Sequence, residues 1–352
     1  MAKSIFKNIK IRGIAAAVPK NKVDCIRDHE FMPEGERRKI VELTGVQEYR
    51  KAPPEICSSD LCEASAKALL KGLDVDPASI DAIVFSTMTP DYRAPSTACI
   101  LQHKLGVPIS SVAFDINMGC SGYVVGLFNA CALIQGGGLK RALLLSGDTQ
   151  TKLCYEKDKN VVFLLGDGGS ATLLEAVESS DDIKIELMTD GSRFNYLYVP
   201  AGGFRKPSTG ETRMVKEESD RGLRSEEHLY MNGMEIFKFS ATDVVKSLQG
   251  YMESEQINSE GIDYLILHQA NKFMNDKIAK KLKFPPEKVL YSINKYGNTA
   301  AASIPLTIVH NFEKINAKGK TRCLLSGFGV GLSWGIVDIV LDRIYSLPVI
   351  EI

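Results

Sequence analysis

Apolar residues in this chain gather into short unbroken runs separated by polar stretches. The runs at 82–87, 112–116, 142–147, 161–165, 264–268, 289–293, 323–327 and 335–341 have the length of strands. They are continuous rather than alternating, the pattern of strands covered on both faces. Between them, positions 59–72, 121–135, 241–253, 273–282 and 301–313 carry apolar residues at helical spacing. The alternation predicts an α/β fold of mixed sheets with helices packed on them. One segment breaks the pattern. Twelve of the 23 residues in 205–227 are charged, and Pro207, Gly210 and Gly222 interrupt them. Segment 204–227 is therefore expected to be an exposed loop or lid.

The pattern also repeats. Ile80-Asp81 and Ile262-Asp263 each precede an apolar run, 182 residues apart, and Ser146-Gly147 and Ser326-Gly327 each end one, 180 apart. Similar features in one order at a nearly constant offset predict a duplication, with halves at 1–180 and 181–352. On that register Gly119-Cys120 corresponds to Gly297-Asn298, 178 residues on.

Length and composition narrow the class. The 352 residues are 44% hydrophobic, and 43 Lys and Arg balance 43 Asp and Glu. Zero net charge argues against a general binder of nucleic acid or membrane surfaces. Neither a membrane-length apolar stretch nor a secretion signal is recognisable, so a cytoplasmic protein is expected. The eight cysteines form no Cys-x-x-Cys and no zinc-like spacing with the five histidines, so no metal site is expected. Seven of these cysteines read as reduced packing residues.

Cys120 is the exception. An apolar run ends just before it, a helical run starts just after it, and Gly119 and Gly122 flank it. A cysteine at a helix start meets free N–H groups that favour a thiolate and bind an oxyanion. A buried structural cysteine is the competing reading. His268 closes the run 264–268 and opens a loop, where α/β proteins place site residues, although a core histidine fits the same pattern. Asn298 would sit at the matching elbow of the second half, or simply cap a turn. Gly327–Gly335 is glycine-rich but lacks the lysine of a phosphate loop and the spacing of a dinucleotide motif. Gly166–Ser170 is similar and reads as structural.

Taken together, Cys120 at its elbow, His268 in His-Gln-Ala-Asn, Asn298 in Tyr-Gly-Asn-Thr-Ala-Ala-Ala-Ser, and Gly-Phe-Gly-Val-Gly-Leu-Ser-Trp-Gly from 327 resemble β-ketoacyl-acyl-carrier-protein synthase III. That family belongs to the thiolase-fold condensing enzymes, and the resemblance covers nearly the whole chain. It implies two pseudo-symmetric halves with mixed five-stranded sheets in α-β-α-β-α layers, assembled as a homodimer. It implies that Cys120 takes an acyl group from acyl-CoA, with its own amide and the Gly329–Val330 region holding the oxyanion. His268 and Asn298 would then stabilise the enolate formed as malonyl-acyl-carrier protein loses carbon dioxide. No cofactor is implied beyond the CoA thioester substrate. Phe237 and Phe328 match lining positions, Ala94 the position that shapes the acyl pocket, and Lys238, Lys280 and Lys281 positions that dock the acidic carrier. Asn298 stands where elongating synthases have a second histidine, and Phe328-Gly329-Val330-Gly331 where thiolases have a second cysteine.

The chain departs from that pattern in places. Lys39 and Leu43 replace a Trp and an Arg that clamp the adenine of CoA, which leaves Arg37, Arg38 or the 205–227 loop to hold it, or a primer on another carrier. Ala94 replaces a ring, which implies room for a primer longer than acetyl. Phe273 replaces a docking Arg beside Lys272. A variant synthase or acyltransferase using a longer or carrier-bound primer is one alternative. A cysteine protease is a remote one, because papain-like enzymes also use Cys, His and Asn in that chain order.

Overall fold

The computed structural model describes residues 2–219 and 222–352. The strands of its two main sheets are, in chain order, β1 (Ala2–Phe6), β2 (Ile9–Val18), β3 (Ala82–Ser86), β4 (Val112–Ile116), β5 (Arg141–Asp148), β6 (Gly168–Ala176), β7 (Ile183–Thr189), β8 (Tyr264–Leu267), β9 (Lys320–Gly329), β10 (Ser333–Asp342) and β11 (Ile350–Glu351). The helices that concern the site are α1 (Glu34–Thr44), α2 (Ser58–Gly72), α3 (Thr97–Lys104), α4 (Gly122–Gly137), α5 (Gly233–Phe239), α6 (Val245–Ser254), α7 (Lys272–Lys281) and α8 (Ser303–His310).

One sheet has the order β11-β2-β6-β5-β3-β4 and the other β1-β7-β10-β9-β8. In the first, β2, β6 and β5 are successively antiparallel, and β3 joins β5 in parallel. In the second, β7, β10 and β9 are successively antiparallel, and β8 joins β9 in parallel. The same succession in the same order is the structural form of the sequence repeat. Five strands per sheet were expected, whereas the first sheet has six because β11 adds to β2. β1 in turn adds to β7, so each terminal strand lies on the sheet of the opposite half.

Strand alternation builds the layers. In β3, Ala82 and Val84 join one apolar cluster while Ile83 and Phe85 join another. In β8, Ile266 faces the first of these clusters and Leu265 and Leu267 face a third. The shared cluster also takes Tyr123, Val124 and Leu127 of α4 with Ile304, Leu306 and Ile308 of α8. These two helices therefore fill the space between the sheets. α2 and α3 cover the outer face of the first sheet, and α6 and α7 that of the second. The result is the layered α-β-α-β-α arrangement. Each fully buried Leu or Ile on these strands contributes about 1.5–3 kcal/mol of apolar transfer.

Two expected strands are absent. Residues 161–165 form turns whose five apolar side chains are all buried in the outer cluster of the second sheet. Residues 289–293 lie beside β8 but touch it through one bridge, Leu265 with Val289, before the chain enters a short helix. A segment buried on all sides reads as an apolar run whatever its backbone does. The described residues of segment 204–227 are mostly exposed, as expected, although Thr212, Gly222, Arg224 and Ser225 are buried, and Lys216–Glu217 pair antiparallel with Leu223–Arg224. Among the described residues, no helix is long and apolar enough to cross a membrane.

Candidate active site

Cys120 lies in the turn between the end of β4 and the start of α4, where the Gly122 N–H donates to the Gly119 carbonyl at 2.7 Å. It is 8% exposed. Its own N–H and that of Val330 both act on its sulfur. The helix start was expected to favour a thiolate, but burial outweighs these donors and pushes the thiol up to about 12. The resting group is therefore a thiol. A methyl group added at Gly329 would lie 2.5 Å from Cys120 Cβ and 2.8 Å from Sγ, so only glycine lets β9 pass this close. Phe328, beside it, is buried and meets the ring of His268 edge-on, with centroids 5.6 Å apart.

His268 follows the last residue of β8. Its N–H donates to the Ser326 carbonyl at 2.8 Å, and its own carbonyl accepts from Asn275 Nδ2 at 3.0 Å. The ring is buried, with Nδ1 2.7 Å from Ser303 Oγ at the start of α8. Burial pulls its pKa down to about 3, against a backbone hydrogen bond at Ala300. The imidazole is therefore neutral at physiological pH.

Asn298 is held by its backbone: its N–H donates to the Leu164 carbonyl and its carbonyl accepts from the Gly166 N–H, each at 2.8 Å. Gln150 Nε2 donates to the same carbonyl. Its side-chain Oδ1 accepts from the Ala300 N–H at 3.0 Å. The amide Nδ2 remains as a donor. Ala300 has φ +44°, the left-handed region that residues with a side chain avoid. That one residue links Asn298 and His268. The sequence reading held Ala300 and Ser303 inside the Asn298 motif without giving them a role, and it missed the buried Asp148, which raises the Cys120 thiol further. For Asp148 the cue was the stretch Gly147–Gln150 at the end of a strand.

A cavity of about 890 Å³ meets this cluster at Val330 and Met88 and is also lined by Leu153, Val199, Leu229, Asp91, Arg93 and Glu227, while Cys120, His268 and Asn298 are not among its lining residues. Ala94 is exposed on the adjoining loop and is not among the lining residues. Phe237 is half-buried on α5 in the same apolar cluster as Phe328, its ring stacked on Phe273 at 5.6 Å. Lys39 and Leu43 of α1 face Lys272 and Phe273 of α7 across a smaller cleft of about 360 Å³. Arg37 is buried and donates to the Ile26 carbonyl, and Arg38 pairs with Glu34, so both guanidinium groups are engaged away from that cleft. Lys238, Lys280 and Lys281 are exposed on α5 and α7. Lys238 pairs with Glu235 at 2.6 Å, and Lys281 donates to the Ala241 carbonyl at 2.6 Å. All eight cysteines are free, and no metal-holding cluster occurs among the described residues.

A cysteine at the elbow entering one central helix, with a histidine and an asparagine gathered at the start of the other, defines an acyl-transferring condensing enzyme of the thiolase fold. Residues 114–191 match the family profile of 3-oxoacyl-[acyl-carrier-protein] synthase III, and residues 252–340 match that of its C-terminal part. A β-ketoacyl-[acyl-carrier-protein] synthase III of Clostridium perfringens is 36% identical over 338 residues, 96% of this chain and 100% of that one. One from Caldanaerobacter subterraneus is 35% identical over 308 residues, 87% of this chain and 90% of that one. The crystal structure of a 3-oxoacyl-(acyl-carrier protein) synthase from Burkholderia xenovorans superposes with a TM-score of 0.93 at 35% identity, covering 99% of both chains. The chain belongs to the 3-oxoacyl-acyl-carrier-protein synthase III family, and the protease reading falls with that.

Proposed function

We propose that the chain joins an acyl primer, delivered as a CoA thioester, to the malonyl group of an acyl carrier protein, with Cys120, His268 and Asn298 carrying the chemistry. Two backbone N–H groups acting on the Cys120 sulfur support this reading most directly. In the first step the sulfur attacks the thioester carbonyl, and the N–H groups of Cys120 and Val330 receive the developing oxyanion. The bond to CoA sulfur breaks, and the thiol proton ends on the released CoA.

In the second step malonyl-carrier protein loses carbon dioxide. The electron pair of the broken bond becomes an enolate, whose oxygen accepts hydrogen bonds from Asn298 Nδ2 and from His268. The 2.7 Å contact between Nδ1 and Ser303 Oγ is assigned to Ser303 as donor, the tautomer that this role requires, with the ring proton on Nε2. A neutral ring suits this role, because the group must donate a hydrogen bond and not surrender a proton. The enolate carbon attacks the acyl-enzyme, the Cys120 sulfur leaves and takes up one proton, and a 3-oxoacyl-carrier protein is released. No cofactor takes part.

The active species is a homodimer in the cytoplasm, and Lys238, Lys280 and Lys281 supply positive charge for the acidic carrier. The wide cavity favours a second reading on substrate, a primer longer than acetyl. Intact-protein mass spectrometry after incubation with acyl-CoAs of two to eight carbons tests both. An acyl adduct absent from Cys120→Ala identifies the nucleophile. His268→Ala and Asn298→Ala should acylate normally and lose release of labelled carbon dioxide by at least a hundredfold. Normal decarboxylation in either variant refutes its role, and faster acylation by acetyl than by longer chains refutes the long primer.

A further inference from the structure

We propose that Asp148 is a positioning residue for the decarboxylation step: its carboxylate holds the Ala300–Ala301 turn that aims Asn298 and His268. The proposal rests on the roles given to those two residues above.

Asp148 ends β5 and is fully buried. Its two oxygens face two different segments. Oδ1 accepts from the Met88 N–H at 2.7 Å and from the hydroxyls of Thr87 and Thr89 at 3.2 Å each. Oδ2 accepts from the Ala301 N–H at 3.2 Å. These partners are neutral N–H and O–H groups. Burial pushes the carboxyl up to about 7, against these four donors. Burying an acid is unfavourable unless its hydrogen bonds do something in return.

What they hold is the frame of the site on both sides. The Met88 side chain rests on the Cys120 elbow, since a Cβ added at Gly119 would lie 2.4 Å from Met88 Sδ. On the other side, Ala301 follows Ala300, whose backbone sits in the left-handed region. A strained turn persists only where its surroundings over-determine it. The Ala300 N–H holds Asn298 Oδ1, and its backbone meets the His268 ring. Asp148 Oδ2 is thus the anchor next to the one residue that contacts both enolate-stabilising groups.

The geometry sets what Asp148→Asn would do. Three donors converge on Oδ1 and one on Oδ2, so the amide oxygen takes the Oδ1 place and Nδ2 faces the Ala301 N–H. Two donors then oppose each other, and the turn at Ala300 loses its anchor. Cys120 acylation should fall no more than threefold, because the Val330 and Cys120 amides are untouched and loss of the Asp148 charge only lowers the thiol's pKa. Carbon dioxide release from malonyl-carrier protein should fall at least thirtyfold. Adding Ala300→Gly, which makes the left-handed turn easy, should restore at least tenfold of that loss; a merely structural role for Asp148 would not respond to it.

Equal decarboxylation in Asp148→Asn and parent overturns the proposal. So does an equal fall in both half-reactions that Ala300→Gly leaves unchanged. If Asp148→Asn does not fold, Thr87→Val/Thr89→Val decides: it keeps the Ala301 contact, so decarboxylation should stay within threefold, and a loss beyond tenfold overturns the proposal. His268→Ala and Asn298→Ala run alongside. If they decarboxylate normally, the reading of the site has failed; if they are dead while Asp148→Asn is normal, only the role of Asp148 has failed.

Discussion

Gly329→Ala isolates the oxyanion donors from the rest of the site. Carbon atoms in ordinary contact lie about 3.5–4.0 Å apart. The new methyl would start 2.5 Å from Cys120 Cβ and 2.8 Å from its sulfur. Strand β9 and the elbow must therefore separate by about 1 Å or more. Val330 is the next residue, so its N–H moves with the strand while the Cys120 N–H stays with the elbow. Losing one donor of such a pair costs about 10²–10³ in rate, roughly 3–4 kcal/mol. Overpacking adds roughly 1–3 kcal/mol of lost stability, which a domain of this size can absorb. The expected result is a folded protein whose Cys120 acylates 10²–10³ times more slowly. Rapid quenching followed by intact-mass measurement gives that rate, and thermal unfolding confirms the fold. Acylation within threefold of the parent, in folded protein, would show that the Val330 amide does not hold the oxyanion.

Three further outcomes follow from the same geometry. The folded-state pKa of His268 lies below its unfolded value, so from pH 6.5 down to about 3 the unfolded chain binds a proton that the folded one refuses. Stability from this group falls by about 1.4 kcal/mol per pH unit in that window. Asp148 acts in the opposite direction between about 3.8 and 7, because its raised carboxyl favours folding as pH falls. Denaturant melts of His268→Ala and parent between pH 7 and 4.5 should therefore converge as pH drops, and parallel curves would rule out a neutral buried ring. Lys280→Glu/Lys281→Glu should raise the KM for malonyl-carrier protein at least tenfold at low salt, leave acylation by acyl-CoA unchanged, and lose the difference in high salt; an unaltered KM removes α7 from the docking surface. Ala94→Phe tests the pocket position that the resemblance implies, since Ala94 lies outside the cavity lining: it should shift the adduct ratio from eight-carbon toward two-carbon primers, and an unchanged ratio would remove Ala94 from primer selection.

The residues proposed to carry the chemistry were legible because each sits where an apolar run stops. Cys120 follows β4, His268 follows β8, and Asn298 shares the register of Cys120 after a shift of 178 positions. Asp148 also ends a strand, yet it looked like any acid entering a polar turn. Its importance comes from partners 60 residues before and 153 after it, and no local pattern carries that information. The turns at 161–165 failed for the converse reason, since burial there has no period to betray the backbone. The thiol's high pKa was hidden too: a helix start can be read from a sequence, but the depth at which it is buried cannot.

The duplication explains more than the fold. α4 and α8 occupy the central layer, one from each half, and each follows a Gly-Cys or Gly-Asn elbow. Their entrances meet: a Cβ added at Gly122 would lie 3.1 Å from Ala301 Cβ. Two elbow–helix units, the first entered from β4 and the second from the short helix Ile293–Tyr296, packed helix against helix, therefore bring two elbows to the same place. On the proposed roles, one elbow would hold a nucleophile and the other a hydrogen-bond donor, dividing the two half-reactions between the two elbows. The loop after β8 adds His268, and the end of β9 passes against the Cys120 elbow and brings the Val330 amide to it. On this arrangement a change confined to one elbow should impair one half-reaction, while a change at a contact between elbows should couple them. Gly122→Ala is such a contact, because its methyl would also lie 2.3 Å from Ser86 Oγ. It should slow acylation and decarboxylation together, and impairment of either one alone would refute the shared entrance.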